Sequence, residues 1–442
     1  MAKLKEGITI LTTDGEQVTV RGILGEGGQG IVYRVSYQGK DRALKWYAKG
    51  VGSNPERFWR NVHDNIKHGS PAPLFLWPLA ITNMDADGCF GYVMEMRPEG
   101  YRDFDLFLLN RVQFSSFSAI IRAAMQITAG FRRLHNMGLS YQDLNDGNFF
   151  VKPETGEVLI CDNDNVAQHG SNLGIQGKPK YMAPEVVSLA KLPDIYSDRF
   201  SLAVILFLLL FRDHPLAGRA DNPNANPEKN EMRLYCTNPV FIFDPKDESN
   251  RPDPQVHRNA LLFWPLYPSG IRRLFIRAFS RPLMDSTDGP ERQDRVTEKE
   301  WLRELSLLRD QLVRCPSCGE KTFFDPEDEA HECMNCGGSF VRPPLLRVAG
   351  RVIPLQPGRK LLSYELEQNA EPDVGNLDTA AAGIVQNKNN PSVWGLRNMT
   401  QRTWHKITPS GKDELVPPGS VVPVARGLKI DFAADKTTGV IE

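Results

Sequence analysis

The stretch LSYQDLNDGNFFV, residues 139–151, decides how the rest of the chain is interpreted. Before it, apolar residues recur at three-to-four spacing through FSSFSAIIRAAMQITAGFRRLH, residues 114–135, which predicts a helix with one buried face. In the stretch itself, Asp143 and Asn148 are separated by four residues of a polar loop, and an apolar run resumes at Phe149. This loop is therefore the first candidate for a functional site.

The bulk composition excludes several classes of protein. The 442 residues are 41% hydrophobic and 24% charged with a formal net charge of −1, so we expect two or three domains and no general attraction to nucleic acid or membranes. The longest apolar run, LAVILFLLLF at residues 202–211, is about half the length of a membrane span and predicts a buried helix. Seven unevenly spaced cysteines and the absence of a signal-peptide pattern favour a cytoplasmic location.

A glycine-rich segment lies between two predicted strands near the start of the chain. GEGGQGIV, residues 25–32, spaces Gly25, Gly27 and Gly30 so that backbone amides can approach phosphates without a Cβ in the way. The β-branched and aromatic residues that follow predict a strand, whereas a dinucleotide fold would continue with a helix. Lys45 lies on the next strand. Considered alone, the glycine-rich segment is equally well explained as a surface turn. Considered alone, Lys45 is equally well explained as a solvent-exposed strand lysine.

Together, these segments resemble a eukaryotic-type protein kinase. The Asp143-x4-Asn148 spacing is similar to the kinase catalytic loop, and the hydrophobic strand before Asp162 is similar to the one that leads into the metal-binding aspartate. GKPKYMAPE at residues 177–185 resembles the end of an activation segment, and RQDRVTEKEWL at residues 292–302 resembles a later kinase segment. The alternative for Asp162 taken alone is an Asp/Asn-rich turn.

The resemblance implies a role for each matched residue. Asp143 would orient and deprotonate the acceptor hydroxyl, while Lys45 would bridge the α- and β-phosphates of ATP. Asn148 and Asp162 would hold Mg²⁺ or Mn²⁺. The implied contacts to the nucleotide and its metal are Gly25, Glu26, Gly27, Gly28, Gln29, Gly30, Val32, Ala43, Lys45, Glu95, Met96, Asn148 and Asp162. The resemblance also implies two structural contacts, an ion pair of Glu185 with Arg295 and a brace of the catalytic loop by Asp198.

Four substitutions depart from the kinase pattern. Tyr141 and Gln142 stand in place of His-Arg, Asn145 in place of a lysine, and Lys178 in place of a threonine. Gln142 removes the arginine that docks a phosphorylated activation loop, and Lys178 removes a threonine of that loop, so the two changes favour a kinase without such control. We hypothesise that Lys178 reaches the space left by the lysine that Asn145 replaces.

Acidic residues near these motifs leave two questions open. Asp164 is either a second metal ligand or a turn residue, and Asn163 replaces the usual aromatic residue. A kinase lysine normally pairs with a helix glutamate. Glu56, in a predicted helix capped by Ser53 or Asn54, is either that partner or an exposed carboxylate favoured by the helix dipole.

The four remaining motif residues are cysteines in two tight pairs, CPSCGE and CMNCGG. The spacing of Cys315, Cys318, Cys333 and Cys336 predicts a structural, tetrahedral Zn²⁺ site in a zinc ribbon at residues 313–342. Four free thiols are the alternative. The residues between the pairs are acidic, which favours a spacer or a protein-docking role over nucleic-acid binding.

Residues 343–442 are short alternating runs punctuated by Gly and Pro, which predict a small all-β sandwich. They resemble a forkhead-associated (FHA) domain that lacks the Ser-x-x-His of phosphothreonine readers, so partner docking is expected. The order of kinase, ribbon and FHA-like domain resembles bacterial kinases of the tellurite-resistance-associated type. That resemblance implies a von Willebrand factor A protein and a metal-dependent phosphatase as partners.

The sequence as a whole predicts an α+β, two-lobed kinase fold followed by the two small modules. The predicted ranges are an N-terminal β extension at 1–20, an N-lobe at 21–95, a C-lobe at 96–312 and the two modules above. The predicted function is an ATP- and Mg²⁺-dependent serine/threonine kinase that phosphorylates a partner protein. The alternative is an ATP-binding pseudokinase scaffold that assembles a signalling complex.

Overall fold

The structure, a computed structural model, describes residues 3–28, 30–48, 54–171, 173, 177–222, 224–287, 289–434 and 437–442. Gln29, a predicted nucleotide contact, lies outside these ranges. The chain divides into two units, numbered below as one series of elements. The first comprises Met1–Ser115, Gly130–His257 and Ile276–Thr297, and the second Ser116–Ala129, Arg258–Phe275 and Glu298–Glu442.

The alternating residues near the start of the chain form a six-stranded antiparallel sheet in the order β1-β2-β3-β4-β6-β5. Its elements are β1 (Thr9–Leu11), β2 (Gln17–Gly27), β3 (Gly30–Tyr37), β4 (Lys40–Tyr47), α1 (Pro55–His68), β5 (Ala80–Ile81) and β6 (Phe90–Met94). Helix α1 begins as predicted, because Asn54 Oδ1 accepts the Arg57 N–H at 3.0 Å and Pro55 follows the cap. The other predicted cap, Ser53, lies outside the described residues.

The chain then becomes mostly helical. The next elements are β7 (Arg102–Asp103), α2 (Phe104–Leu108), α3 (Phe117–Asn136), β8 (Leu139–Ser140), β9 (Phe149–Lys152), β10 (Glu157–Ile160), β11 (Ala167–Gln168), α4 (Pro184–Val187), α5 (Ile195–Phe211), α6 (Pro227–Met232), α7 (Arg258–Phe263), α8 (Ser269–Ala278), α9 (Arg281–Asp285), α10 (Pro290–Gln293) and α11 (Glu298–Asp310). The apolar run predicted as a buried helix is α5, whose residues are nearly all buried. Among the described residues, the structure has no helix that combines the length and the apolar character of a membrane span.

Two short antiparallel pairings position the candidate site. Strand β9 pairs with β10 through Phe149 and Ile160, and β8 pairs with β11 through Ser140 and Ala167. The loop that resembles the kinase catalytic loop, residues 141–148, joins β8 to β9 and is called the catalytic loop below. The segment that contains Asp162 joins β10 to β11. These pairings therefore hold the two loops side by side.

The second unit contains two antiparallel sheets around one hydrophobic core that includes the fully buried Trp404. Their strand orders are β15-β14-β23-β22-β19-β20 and β16-β17-β18-β21, and a separate pair, β12-β13, precedes them. The elements are β12 (Leu312–Arg314), β13 (Lys321–Phe323), β14 (Leu345–Val348), β15 (Arg351–Pro354), β16 (Lys360–Leu362), α12 (Ser363–Leu366), β17 (Ala380–Gln386), β18 (Trp394–Asn398), β19 (Trp404–Ile407), β20 (Asp413–Val416), β21 (Val421–Pro423), β22 (Lys429–Asp431) and β23 (Thr438–Ile441). The predicted domain boundaries within this region stay predictions.

Candidate active site and metal centre

The described glycines of the glycine-rich segment lie where β2 and β3 meet as a hairpin, since β2 ends at Gly27 and β3 begins at Gly30. A Cβ added at Gly25, Gly27 or Gly28 would meet no atom within 4 Å, so these glycines leave the space beside the hairpin open to a ligand. Gly30 is different, because a Cβ there would lie 2.6 Å from the Trp46 carbonyl oxygen. Gly30 is therefore required by the packing of neighbouring strands, whatever else it contacts.

The other predicted nucleotide contacts are of two kinds. Val32, Ala43 and Met96 belong to one hydrophobic cluster, in which Val32 and Met96 are only partly buried. Such partly covered apolar side chains suit a flat aromatic base. Glu26 and Glu95 are exposed and form ion pairs with nearby basic side chains.

The Lys45 side chain is buried between two carboxylates of the segment after β10. Its Nζ lies 3.2 Å from Asp162 Oδ1, 3.0 Å from Asp164 Oδ2 and 3.2 Å from Asp164 Oδ1. These three residues are named the lysine cluster. Burial alone would lower the pKa of Lys45, but the charges of Asp164 and Asp162 outweigh burial and raise that pKa, so the lysine stays protonated. The side chain of Asp162 is 38% exposed and that of Asp164 is 0% exposed.

Two buried phenols complete the surroundings of Asp164. Tyr47 donates its hydroxyl hydrogen to Asp164 Oδ2, and Tyr92 donates to Oδ1 at 3.1 Å. Burial, and after it the Asp164 charge, raises the pKa of both tyrosines well above the ordinary value. Both phenols therefore remain hydrogen-bond donors.

Helix α1 does not supply the glutamate partner that the kinase resemblance suggested for the lysine. Glu56 is exposed and pairs with Arg60 at 2.5 Å, so of its two alternatives the helix-start carboxylate is the correct one. Two α1 side chains that reach the segment after β10 are amides. Asn61 and Asn65 donate to the Val166 carbonyl oxygen at 2.7 and 2.8 Å.

Amide hydrogen bonds hold Asp143 and Asn148 in the catalytic loop. Asn148 Nδ2 donates to the Asp143 carbonyl oxygen at 2.6 Å, which directs its amide nitrogen inward and leaves Oδ1 as the atom suited to a cation. Asn145 Nδ2 donates to Asp143 Oδ1 at 3.1 Å. Burial raises the pKa of Asp143 and the nearby Asp162 adds to this, against the effect of the Asn145 hydrogen bond. A raised pKa suits a carboxylate that accepts a proton.

The two residues that replace His-Arg are tied to the backbone. Tyr141 donates its hydroxyl hydrogen to the Cys161 carbonyl oxygen, and Gln142 Nε2 donates to the Ser171 carbonyl oxygen at 2.5 Å. Asp198 accepts the backbone N–H groups of Tyr141 and Gln142 at 2.5 and 3.1 Å, which is the brace that the sequence predicted. The catalytic loop thus contacts the activation segment through a neutral amide.

Lys178 lies beside the loop position where the sequence hypothesis put it. Its Nζ is 3.0 Å from Asn145 Oδ1 and 3.2 Å from Asp146 Oδ1, and 54% of its side chain is exposed. The same Asn145 amide that accepts from Lys178 donates to Asp143. One asparagine therefore links the cation of the activation segment to the carboxylate of the catalytic loop.

Asn163, which replaces an aromatic residue, is fully buried and held by hydrogen bonds. Its Nδ2 donates to the carbonyl oxygens of Leu76 and Ile160, both at 3.0 Å. The preceding Asp162 has a left-handed backbone, with φ of 54°. The segment is therefore held by polar contacts where a kinase usually has an apolar one.

A second buried ionic group lies at the end of the activation segment. Arg295 donates to both carboxylate oxygens of Glu185 at 2.8 Å, as the sequence predicted. Arg292 contacts Glu185 at 3.0 Å and makes a two-point contact with Asp194 at 2.7 Å. These four residues are named the arginine cluster.

The four paired cysteines of the second unit form a candidate metal centre. Their Sγ atoms lie within 4.8 Å of one another, with Cys315 to Cys336 at 3.9 Å and Cys318 to Cys333 at 3.6 Å. Tetrahedral Zn²⁺ with Zn–S bonds of about 2.3 Å requires sulfur separations of about 3.8 Å, so these thiols fit the ion. The glycine after each pair has a positive φ, 75° and 67°, which explains why glycine follows each pair.

Sequence reasoning missed the partners that complete both ionic clusters. Tyr47 is two residues after Lys45 on β4, so period-two alternation would have placed a phenol on the same face as the lysine. Arg292 gave no such signal, because Arg295 lies beyond the end of α10 and helical spacing does not apply to the pair. Asp164 gave none either, because its role depends on contacts with residues more than 70 positions away.

Comparison with known proteins points to one family. A model of the protein kinase domain matches residues 18–265. Protein kinase YegI of Escherichia coli strain K12 is 24% identical over 330 residues, which cover 71% of this chain and 48% of that protein. The probable serine/threonine-protein kinase C70.05c of Schizosaccharomyces pombe is 27% identical over 146 residues, 29% of this chain and 18% of that protein. The chain thus spans about half or less of the length of these relatives.

Proposed function

The chain belongs to the protein kinase family, and from that premise we propose that it transfers the γ-phosphate of ATP to a serine or threonine hydroxyl of a partner protein. The observation that best supports this is that predicted catalytic residues from distant parts of the sequence contact one another in pairs at two adjacent loops. Lys45, from the sheet, contacts Asp162, 117 positions later in the chain, while Asn148 is bonded to Asp143 in the adjacent loop. Similarity to the probable serine/threonine-protein kinase of Schizosaccharomyces pombe supports the hydroxyl acceptor.

In this proposal each polar side chain has one task. ATP with Mg²⁺ supplies the transferable phosphoryl group. Lys45 holds phosphate oxygens, and Asp162 and Asn148 present the oxygens suited to Mg²⁺. Asp143 Oδ2 accepts the proton of the acceptor hydroxyl, since Asn145 holds Oδ1 at 3.1 Å while the Asn165 amide lies 3.5 Å from Oδ2. The open space at the three glycines of the β2–β3 hairpin supports the fit of a nucleotide.

Lys178 is proposed to supply the positive charge that Asn145 lacks. Its contact with Asn145 Oδ1 at 3.0 Å and its half-exposed side chain support a cation able to meet a phosphate beside Asp143. The double change Asn145→Lys with Lys178→Thr returns the charge to the catalytic loop. We expect Lys178→Ala to lower kcat far more than it raises the KM for ATP, and the double change to restore activity. Equal effects on kcat and KM would contradict this role.

The competing function is a scaffold that binds ATP without transferring phosphate. The experiment compares wild type, Asp143→Ala and Asp162→Asn in transfer of labelled phosphate from ATP to protein, with Mg²⁺ or Mn²⁺. The surface variant Asp87→Asn serves as control. Transfer by wild type and the control alone supports the kinase. No transfer by any form, with ATP still raising the melting temperature, supports the scaffold.

We further propose a structural metal and a docking role for the second unit, and a cellular setting for the protein. The sulfur distances support structural Zn²⁺ in a zinc ribbon, which metal analysis of the purified protein and of Cys333→Ser tests. The two antiparallel sheets around one core support an FHA-like sandwich. Docking to a von Willebrand factor A protein and a metal-dependent phosphatase rests on the domain order, as does the tellurite-resistance-associated type. The described cysteines form no disulfide, which supports a cytoplasmic setting.

A further inference from the structure

Asp164 has the most complete set of hydrogen bonds in the lysine cluster. Oδ1 accepts from Lys45 at 3.2 Å and from Tyr92 at 3.1 Å, and Oδ2 accepts from Lys45 at 3.0 Å and from Tyr47. A carboxylate offers about four lone-pair directions, so all are used. The side chain is 0% exposed.

This geometry excludes one of the two roles that the sequence left open for Asp164. A metal ligand needs a free oxygen lone pair and a path for the ion, and Asp164 offers neither. A simple turn residue would not bury a carboxylate against a lysine and two phenols, because a buried charge is costly unless it is paired. The side chain therefore serves the lysine.

We propose that Asp164 is the positioning residue of Lys45, in the place that a glutamate of helix α1 would otherwise take. Glu56 cannot act in this way, since it is exposed and paired with Arg60. Asp162 also contacts the lysine, but its side chain is 38% exposed and it is the proposed metal ligand. The inference rests on the proposed function for its catalytic meaning.

The arrangement makes Lys45 independent of the exact position of helix α1. Asp162 and Asp164 belong to one short segment, so a single piece of backbone fixes both the proposed metal ligand and the lysine. Helix α1 contributes amides to that segment, chiefly Asn61 and Asn65 on the Val166 carbonyl oxygen. Displacing an α1 acid therefore leaves Lys45 in place, whereas a change at Asp164 releases it.

The test compares two acid-to-amide changes of equal size, Asp164→Asn and Glu56→Gln. We expect Asp164→Asn to lower kcat/KM by about 100-fold, as displacement of a group by about 1 Å can do. Glu56→Gln should leave kcat/KM within about twofold of wild type. Similar losses in both variants, or no loss in a folded Asp164→Asn protein, would overturn the proposal.

A second readout needs neither ATP nor phosphate transfer. The rate at which acetic anhydride acetylates Lys45 at one fixed pH, followed by mass spectrometry, reports how firmly the amino group is held. Both carboxylate oxygens of Asp164 accept from Lys45, so the rate should rise in Asp164→Asn and stay unchanged in Glu56→Gln. The same change in both variants, or no change in either, overturns the proposal. If wild type transfers no phosphate, this readout still tests the contact, which separates it from failure of the proposed function.

Tyr92→Phe keeps the proposal testable if Asp164→Asn does not fold. The change removes one hydrogen bond to the Asp164 carboxylate and adds no charge. We expect the acetylation rate of Lys45 and kcat/KM to change in the same direction as in Asp164→Asn, by about tenfold or less in kcat/KM. The matched control is Tyr37→Phe, a buried tyrosine of the same sheet. Identical behaviour of the two phenylalanine variants would overturn the proposal.

Discussion

The lysine cluster and the arginine cluster lie in the same unit and are both largely buried, but their charges are balanced differently. The lysine cluster has two carboxylates for one cation, and one carboxylate, Asp162, is 38% exposed. The arginine cluster has two carboxylates for two cations, and its side chains are 1–13% exposed. The buried arginine cluster has no net charge, so it has no need of a further ion. The lysine cluster has a net negative charge and an exposed carboxylate, so it can bind a cation.

The difference separates stability from function. Breaking a balanced buried pair leaves a charge that no solvent reaches, so the fold bears the cost. In the lysine cluster, the exposed carboxylate can be neutralised while Lys45 keeps Asp164, so the effect should appear in ligand binding. Substitutions of the two clusters should therefore fail in different assays.

The largest expected effect is on folding, from Arg295→Ala. The change leaves Glu185 buried with Arg292 as its remaining partner, and loss of one member of a buried pair typically costs about 3–5 kcal/mol. Urea denaturation measures the free energy of unfolding. Arg60→Ala is the control, because an exposed pair of this spacing contributes about 0.3–0.5 kcal/mol. If both variants lose the same free energy, the arginine cluster does not hold the fold.

The next effect is on ligand-dependent stability, from Asp162→Asn. At 100 times its dissociation constant a ligand stabilises the folded state by about 2.7 kcal/mol, and the Mg²⁺-dependent part of such a gain should vanish in this variant. Melting temperatures with ATP, with and without Mg²⁺, provide the measurement. Without ligand, the free energy of unfolding of Asp162→Asn should be much closer to that of wild type than the free energy of unfolding of Arg295→Ala is. A full Mg²⁺ response in Asp162→Asn would remove the functional meaning of the open cluster.

The contrast also marks what sequence alone can predict. Strand alternation, a buried apolar helix and the motif spacings predicted the sheet, α5 and the Glu185–Arg295 pair, because each depends on local periodicity or a fixed motif. The partner of Lys45 was not predictable in the same way. Packing of distant segments decides which acid becomes buried beside Lys45. The sequence alone does not distinguish Glu56 from Asp164 as that acid.

The smallest expected change in stability comes from Asp143. This residue is a buried carboxylate beside the negative lysine cluster. Burial and the Asp162 charge raise its pKa in the folded state above the unfolded value of about 3.9. A raised pKa stabilises the fold below the unfolded pKa, and that contribution is lost as the pH rises through the folded pKa. At pH 7 the ionised Asp143 therefore lowers the free energy of unfolding.

Asp143→Asn should consequently abolish phosphate transfer yet unfold at a higher free energy than wild type at pH 7. The gain should lie within the roughly 0.5–2 kcal/mol common for stabilising substitutions. Urea denaturation at several pH values, with the surface variant Asp87→Asn as control, should show the gain shrinking as the pH falls through the raised pKa of Asp143. A loss of stability at pH 7 would mean that the Asn145 hydrogen bond to Asp143 outweighs the cost of its buried charge.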